Sequence, residues 1–153
     1  MPNEHKLLVM RGLPGSGKST YLLKTAPSAV VCSADHFFVR ADGQYVFDAS
    51  KLKAAHETCF MKFKNLITNE LPKLVAIDNT NLTWWEAGRY IEAGLGAGYE
   101  VEVVDVRALP EVAAARNIHG VPAEHIQKMA RKQIEIPDNV KNNPAFKYTL
   151  IKQ

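Results

Sequence analysis

The sequence has no long hydrophobic run and little cysteine. No apolar segment approaches the roughly 20 residues that a membrane-spanning helix needs, so we expect no membrane partner. The two cysteines, Cys32 and Cys59, stand alone and match neither a metal-binding spacing nor a disulfide framework. This sparse use of cysteine predicts a reducing, cytoplasmic environment. Residues 1–6 also lack the pattern of a secretory signal.

Dense basic runs, repeats and low-complexity stretches are missing as well. The 19 Lys and Arg residues against 16 Asp and Glu give a formal net charge of +3, which by itself does not argue for a nucleic-acid partner. Hydrophobic residues make up 46% of the 153 positions, which is enough to bury a substantial core. We therefore predict a single folded domain over residues 1–153.

Apolar segments alternate with amphipathic ones along the chain. Strands are predicted at 7–10, 29–32, 74–77, 101–106 and 148–151. Helices are predicted at about 49–71, from Thr83 to the glycines at 94–98, after Pro110 and near Pro122, with a polar loop over 137–144. Continuous β-branched strands favour burial on both faces, as in a parallel sheet. The order therefore predicts an α/β sandwich with right-handed crossovers.

The strongest motif is a phosphate-binding loop at residues 12–19. These read Gly-Leu-Pro-Gly-Ser-Gly-Lys-Ser and satisfy the pattern G-x-x-x-x-G-K-[ST] between a predicted strand and a predicted helix. Glycines let successive backbone N–H groups turn toward one anion, and the helix presents its positive dipole end. Lys18 can reach the β- and γ-phosphates of ATP, and Ser19 can ligate Mg²⁺. The residues expected to contact ATP are Gly12, Pro14, Gly15, Ser16, Gly17, Lys18, Ser19 and Thr20.

Two further features narrow the class of P-loop protein. The guanine-reading motif Asn-Lys-x-Asp of GTPases is absent from the sequence. The 153 residues are also too few for the helical extension that is typical of larger ATPase machines. By elimination, the pattern favours a small kinase that uses Mg²⁺ and ATP.

Two carboxylates follow predicted strands. Asp35 comes after the second strand and Asp78 after the third, and parallel strands bring their carboxyl ends to one edge of a sheet. Asp35 can orient an attacking hydroxyl and accept its proton, or it can cap the turn that follows. Asp78 occupies the position of a carboxylate for Mg²⁺ or its bound water. Asn79, Thr80 and Asn81 either belong to the site or form a capped turn.

Four features together carry a family resemblance. They are residues 12–20, Asp35, the element Asp-Asn-Thr-Asn-Leu at 78–82, and Arg116 with Asn117. With them the chain resembles the polynucleotide-kinase-like branch of P-loop kinases, typified by the phage polynucleotide 5′-kinase. The resemblance implies a three-layer P-loop sandwich with a central, mostly parallel five-stranded sheet and a helical lid over about 110–133. It also implies Mg-ATP as donor, Asp35 as general base, and Arg116 as a lid arginine on the phosphates.

Two positions depart from that family. The phage kinase carries an arginine three residues after its catalytic aspartate, where this chain has Phe38, with Arg40 nearby. The family's second lid arginine is also missing, since His119 and Gly120 occupy that region, and Arg131 from the next helix can substitute. The residues expected to contact the acceptor are Phe38, Arg40, Thr80 and Asn81.

Because of these two departures, the family resemblance does not identify the molecule that carries the acceptor hydroxyl. The leading hypothesis is the 5′-hydroxyl of DNA or RNA, bound as a single strand in a groove that runs from Asp35 past Thr80, between the long helix and the lid. The alternative keeps the chemistry and changes the acceptor to a hydroxymethylated DNA base, a nucleoside, a sugar or another small metabolite. A third hypothesis is an ATP-binding switch or partner-binding module with little turnover, against which the combination of Asp35 with a complete P-loop argues.

Aromatic and histidine side chains near this groove have two interpretations each. Trp84 and Trp85 begin a predicted amphipathic helix and are expected to pack in the core, with stacking on a nucleobase as the alternative. His36 adjoins Asp35 and can line an acceptor pocket. His56 lies within the long helix, where a packed or solvent-facing role is expected.

Overall fold

The computed structural model describes residues 4–117, 120–132 and 142–152. Within these ranges the strands are β1 (Lys6–Arg11), β2 (Val30–Cys32), β3 (Leu74–Ile77), β4 (Glu100–Arg107) and β5 (Lys147–Lys152). All five are parallel and form one sheet in the order β2–β3–β1–β4–β5. The predicted five-stranded parallel sheet is therefore confirmed, and each predicted strand end is within one residue of the observed one.

Helices connect the strands. In the described ranges they are α1 (Lys18–Thr25), α2 (Leu52–Asn65), α3 (Trp84–Gly96), α4 (Pro110–Arg116) and α5 (Ala123–Lys132). A 3₁₀ turn at Ala49–Lys51 and a π turn at Leu66–Glu70 extend α2 at its two ends, which accounts for the long predicted helix. None of the described helices is long and apolar enough to span a membrane. The loop predicted over 137–144 lies mostly outside the described residues.

The sheet is covered on both faces because successive strand residues point in opposite directions. Leu7 of β1 lies in one buried cluster with Phe63 of α2 and Tyr90 of α3. Its neighbour Leu8 lies in a second cluster with Leu22 of α1. Each fully buried aliphatic side chain stabilises the fold by about 1.5–3 kcal/mol. The result is a three-layer sandwich with α2 and α3 on one face and α1 on the other.

The carboxyl edge of the sheet gathers three segments of the chain. Because β2, β3 and β1 are neighbours, the segments that follow them lie side by side. These segments are the turn with Asp35, the loop that begins at Asp78, and the P-loop at 12–19. The connection after β1 leads to β2 on one side, and the connection after β3 crosses β1 to β4 on the other side. Parallel sheets bind ligands at such a switch point.

A buried ion pair holds this edge together. Arg11, at the end of β1, donates from Nη1 to Asp105 Oδ2 of β4 at 2.7 Å, and neither side chain is exposed. Arg11 Nε also donates to the carbonyl of Asn81 at 3.1 Å. Burial acts to raise the pKa of Asp105, but hydrogen bonds from Arg107 and Tyr148 and the charge of Arg11 hold that pKa below its usual value. The network therefore ties the end of β1 to β4, to β5 and to the loop after β3.

Candidate active site

The P-loop approaches its neighbours so closely that two of its positions require glycine. Gly12 and Gly15 have φ values of +154° and +79°, which residues with a side chain rarely adopt. A Cβ at Gly15 would lie 2.0 Å from the carbonyl oxygen of Ala113, and one at Gly12 would lie 2.5 Å from that of Val106. Backbone conformation and close packing of α4 and the end of β4 thus both select glycine.

Lys18 lies inside the loop with its side chain almost buried. Its Nζ donates to the carbonyl oxygens of Gly12 and Leu13, each at 2.9 Å. Burial lowers the pKa of Lys18 to about 8, against the opposing charges of Asp78 and Asp35. Its two acceptors are neutral carbonyls, so an arriving phosphate would supply an anionic partner and a stronger hydrogen bond.

The hydroxyl of Ser16 is a second feature that fits an anion. Its Oγ is buried and has no hydrogen-bond partner among the described residues. A buried polar group left unpaired costs about 1–3 kcal/mol. A phosphate oxygen held in the loop would accept this hydrogen bond, so the residues present fit a nucleotide phosphate.

Ser19 and Asp78 meet at the carboxyl edge. Ser19 Oγ donates to Asp78 Oδ2 at 2.7 Å. The backbone N–H of Asp78 donates to the carbonyl of Cys32 at 2.9 Å, which fixes the end of β3 against β2. A hydroxyl and a carboxylate are oxygen donors of the kind that Mg²⁺ prefers. The structure thus brings the two predicted metal ligands into contact, and their chemistry fits the ion.

Asp35 lies in a 3₁₀ turn at Ala34–Phe38 that directly follows β2. Ser33 caps this turn, since its hydroxyl accepts from the Asp35 N–H at 3.2 Å. The carboxylate of Asp35 is therefore not the cap, and its Oδ1 accepts a hydrogen bond from the Tyr45 hydroxyl at 3.2 Å. Asn79 Oδ1 accepts a backbone N–H of the turn at 2.8 Å and ties it to the loop after β3.

Tyr45 is a neighbour of Asp35 that the sequence analysis did not predict. An isolated antiparallel bridge between Val39 and Tyr45 turns the chain back, so that a residue 10 positions beyond Asp35 reaches its carboxylate. Burial, the charge of Asp35 and the hydrogen bond raise the pKa of Tyr45 to about 12, which keeps the phenol protonated as a donor. No spacing motif signals this contact, because it depends on the path of the loop.

The four residues predicted to contact the acceptor fall into two places. Phe38, which is almost buried, and the exposed Arg40 line a pocket of about 220 Å³ beside the turn. The Thr80 carbonyl accepts a backbone N–H of the P-loop at 2.9 Å. Asn81 is buried with φ +45°, and its amide donates to the Met10 carbonyl at 2.7 Å. The amide of Asn81 therefore supports the backbone at the start of the P-loop.

The predicted lid is built from α4 and α5, which pack together over the P-loop. Its small buried core consists of Leu13, Leu82, Ala113 and Ile126. Because Leu13 belongs to the P-loop and Leu82 to the loop after β3, α4 and α5 pack on both of these loops. Arg131, a predicted substitute arginine, is exposed on α5. His119 lies outside the described residues.

Arg116, the predicted lid arginine, is exposed at the end of α4. It precedes Asn117, whose backbone nitrogen would lie 2.9 Å from a Cβ on Gly15. The Asn117 side chain donates to the Val121 carbonyl at 2.7 Å and accepts from its N–H at 3.2 Å. These contacts fix the end of α4 at the same edge of the sheet as the P-loop.

Comparison with known proteins agrees with this architecture. The family described as AAA domain matches residues 7–135. NEDD4-binding protein 2 of Homo sapiens is 38% identical over 131 residues, which cover 80% of this chain and 7% of that protein. The chain thus spans a small part of the length of this curated relative.

Solved structures share the fold over most of the chain. The Pnkp1/Rnl/Hen1 RNA repair complex is 20% identical with a TM-score of 0.66, covering 87% of this chain and 45% of that one. A gluconokinase from Sinorhizobium meliloti 1021 is 13% identical with a TM-score of 0.58, covering 99% of this chain and 84% of that one. At these identities the likeness shows a common fold alone.

Proposed function

The chain belongs to the AAA domain family, and from this premise we propose that it is an ATP-dependent phosphotransferase that acts on a hydroxyl group. One observation carries the proposal. Three adjacent strands deliver the P-loop, Asp78 and Asp35 to one edge, close enough that the charges of both carboxylates act on the pKa of Lys18. Phosphoryl transfer needs this combination of a phosphate cradle, a metal-binding carboxylate and a group that accepts the proton of the acceptor.

In the proposed reaction the P-loop and Lys18 hold the β- and γ-phosphates of ATP. Asp35 orients the acceptor hydroxyl and takes its proton as the acceptor oxygen bonds to the γ-phosphorus. The bond from that phosphorus to the β–γ bridging oxygen breaks, and ADP leaves. A Mg²⁺ ion bound by Ser19 and Asp78 would offset phosphate charge.

The lid completes the site in this proposal. We assign residues 1–153 to one kinase domain in which the segment over about 110–133 covers the nucleotide. Arg116 would place its guanidinium on the phosphates, where negative charge must be stabilised in the transition state. Its position at the end of α4, beside the P-loop, supports that role.

The acceptor we propose is the 5′-hydroxyl of single-stranded DNA or RNA. The order of the P-loop, Asp35, Asp78 and Arg116 supports it, since that order resembles polynucleotide-kinase-like enzymes. One observation favours a second candidate, a hydroxymethylated base or a small metabolite. Phe38 stands where that family has an arginine for the acceptor phosphate, and the structure packs this ring against Phe47 with centroids 5.1 Å apart.

Incubation with γ-labelled ATP and Mg²⁺ is expected to label the 5′ end of a single-stranded oligonucleotide. Affinity for the oligonucleotide should fall with salt, with a log–log slope of about −0.7 for each phosphate contact. The matched control is the same oligonucleotide with a 5′-phosphate, which has no acceptor hydroxyl at that end. Labelling of modified DNA or of small alcohols alone, with ATP binding confirmed, would replace the 5′-hydroxyl with the second candidate.

The affinity for ATP is expected to fall as the pH rises above about 8. Lys18 loses its proton in that range in the free protein, because burial lowers its pKa to about 8. Bound phosphate raises this pKa, so between the two values the apparent Kd should rise by up to about tenfold for each pH unit. Titration with a fluorescent ATP analogue over a pH series measures the effect.

Lys18→Arg is the matched variant for this titration. A guanidinium stays charged throughout this pH range. We expect the Lys18→Arg variant to bind ATP more weakly than the wild type does, but with an affinity that does not fall between about pH 8 and 9. If the ATP affinity of the wild type were as independent of pH as that of Lys18→Arg, the result would contradict the assignment of the buried Lys18 ammonium as the phosphate ligand.

A further inference from the structure

A pocket of about 240 Å³ opens between α2 and α3. Its walls include Lys53 and His56 from α2 and Trp85 and Arg89 from α3. Glu57 and Glu86 also line it, so the pocket combines two cationic and two acidic side chains with the indole of Trp85. None of these side chains has a role in the phosphotransfer site described above.

Arg89 is held in place without being fully paired. Its guanidinium carbon lies 4.6 Å from the ring centre of Phe60 and 5.5 Å from that of Tyr90. Nη1 makes a 3.3 Å ion pair with Glu57, whose side chain is 56% exposed. Nε is buried and has no hydrogen-bond partner in the described part of the chain. Stacking thus fixes the plane of a guanidinium that keeps one donor without a partner among the described residues, and a planar guanidinium suits recognition of a phosphate.

Trp85 is placed differently from its neighbour in sequence. Trp84 packs in the core, with its ring 5.8 Å from that of Phe146. Trp85 is 76% exposed, and its ring centre lies 5.8 Å from the guanidinium carbon of Arg89. The expectation of core packing is therefore confirmed for Trp84 and wrong for Trp85. An exposed indole next to a cation is a stacking surface for a nucleobase.

The helix α2, which forms one wall of the pocket, also packs against the turn that carries Asp35. Burial lowers the pKa of His56, and the charges of Glu86, Arg89 and Asp35 all act on its imidazole. The pocket and the proposed general base are therefore connected through α2, and His56 in the pocket wall lies within reach of the charge of Asp35.

We propose that this pocket binds one nucleotide of a single-stranded acceptor, with Trp85 stacked on the base and Arg89 on a backbone phosphate. The inference rests on the proposed function, because it names a subsite for the acceptor of that reaction. Phe38 stands where the polynucleotide-kinase-like family has an arginine for the acceptor phosphate. Arg89 of α3 would supply that positive charge instead. Lys53, exposed at the mouth of the pocket, adds to that charge.

The test measures oligonucleotide binding by fluorescence anisotropy and phosphorylation kinetics on the same variants. Trp85→Ala is expected to weaken binding about 5- to 150-fold, the range for loss of one stacked base, and to raise KM for the oligonucleotide. Arg89→Gln is expected to reduce the salt slope by about 0.7, which corresponds to one phosphate contact. ATP affinity should stay at the wild-type value in both variants.

Abasic substitutions along the oligonucleotide locate the stacked base. When the base that stacks on Trp85 is the one removed, the wild type and Trp85→Ala should bind the oligonucleotide with equal affinity, because the indole then has no base to stack on. Leu23→Ala and Lys24→Gln are the matched controls, since both side chains are exposed on α1, on the opposite face of the sheet. They should leave binding and the salt slope unchanged.

Two outcomes separate this inference from the proposed function. Normal oligonucleotide binding and KM in Trp85→Ala and Arg89→Gln, with the wild type active on the 5′-hydroxyl, would overturn the subsite and leave the kinase assignment intact. Oligonucleotide binding that depends on Trp85 and Arg89, without transfer of phosphate by the wild type, would support the subsite and overturn the proposed reaction.

Discussion

Replacing Asp35 with asparagine is expected to lower kcat by about 10²–10⁴-fold, the usual contribution of a general base. The amide keeps the size of the side chain and can still accept the hydrogen bond from Tyr45, but it cannot take a proton from the acceptor hydroxyl. ATP affinity should stay nearly constant, because the substitution leaves the P-loop and the Ser19–Asp78 contact unchanged. Single-turnover kinetics with saturating ATP and acceptor isolate the chemical step.

Two companion variants make the result specific. Asp42→Asn changes an exposed aspartate in the following turn, where its Oδ1 accepts from the Gln44 N–H at 3.0 Å, and should turn over like the wild type. Tyr45→Phe removes the hydroxyl that holds Asp35 and should reduce kcat less than loss of the carboxylate does. An unchanged rate in Asp35→Asn would mean that Asp35 is not the base.

Lys18→Ala is expected to lower kcat/KM by at least about 10²–10³-fold, the scale for loss of one electrostatic stabiliser of the transition state. The ammonium is buried inside the P-loop, so its loss removes the cation from the interior of the loop. Isothermal titration calorimetry with ATP and steady-state kinetics with labelled ATP measure binding and turnover separately. Both should be severely reduced.

Thermal unfolding distinguishes lost chemistry from lost folding in this variant. We expect a small change in Tm, because the mutation removes two hydrogen bonds to loop carbonyls but also removes the desolvation of a buried ammonium. Lys24→Ala, at an exposed position in the last turn of α1, is the matched control and should keep full activity. Turnover at the wild-type rate in Lys18→Ala would remove the basis for assigning residues 12–19 to ATP.

Local patterns predicted most of the architecture. The strand ends, the cap at Thr83 and the start of α4 at Pro110 were all visible, because period, capping and proline placement act within a few residues. Similar local reasoning treated Trp84 and Trp85 as one pair. The structure separates them, because adjacent residues of a helix point about 100° apart, and the turn of α3 against the sheet decides which one is covered.

These local patterns did not predict the contacts between distant segments of the chain. No local pattern paired Asp105 of β4 with Arg11, 94 residues away. Asp35 was predicted at the site without Tyr45, and Asn81 was predicted to contact the acceptor, although its amide supports the P-loop backbone. Each contact depends on which strands become neighbours and on how a loop returns.

Short sequence patterns were enough to predict the P-loop, the order of strands and helices, and the edge of the sheet where Asp35 and Asp78 emerge. These features depend on consecutive residues or on short periods, so they are encoded locally. Packing of the whole chain is what buries Arg11 against Asp105, brings α4 and α5 onto Leu13, and places Arg89 beside an exposed Trp85. Burial and charge pairing depend on the complete packing of the chain, which no local pattern contains.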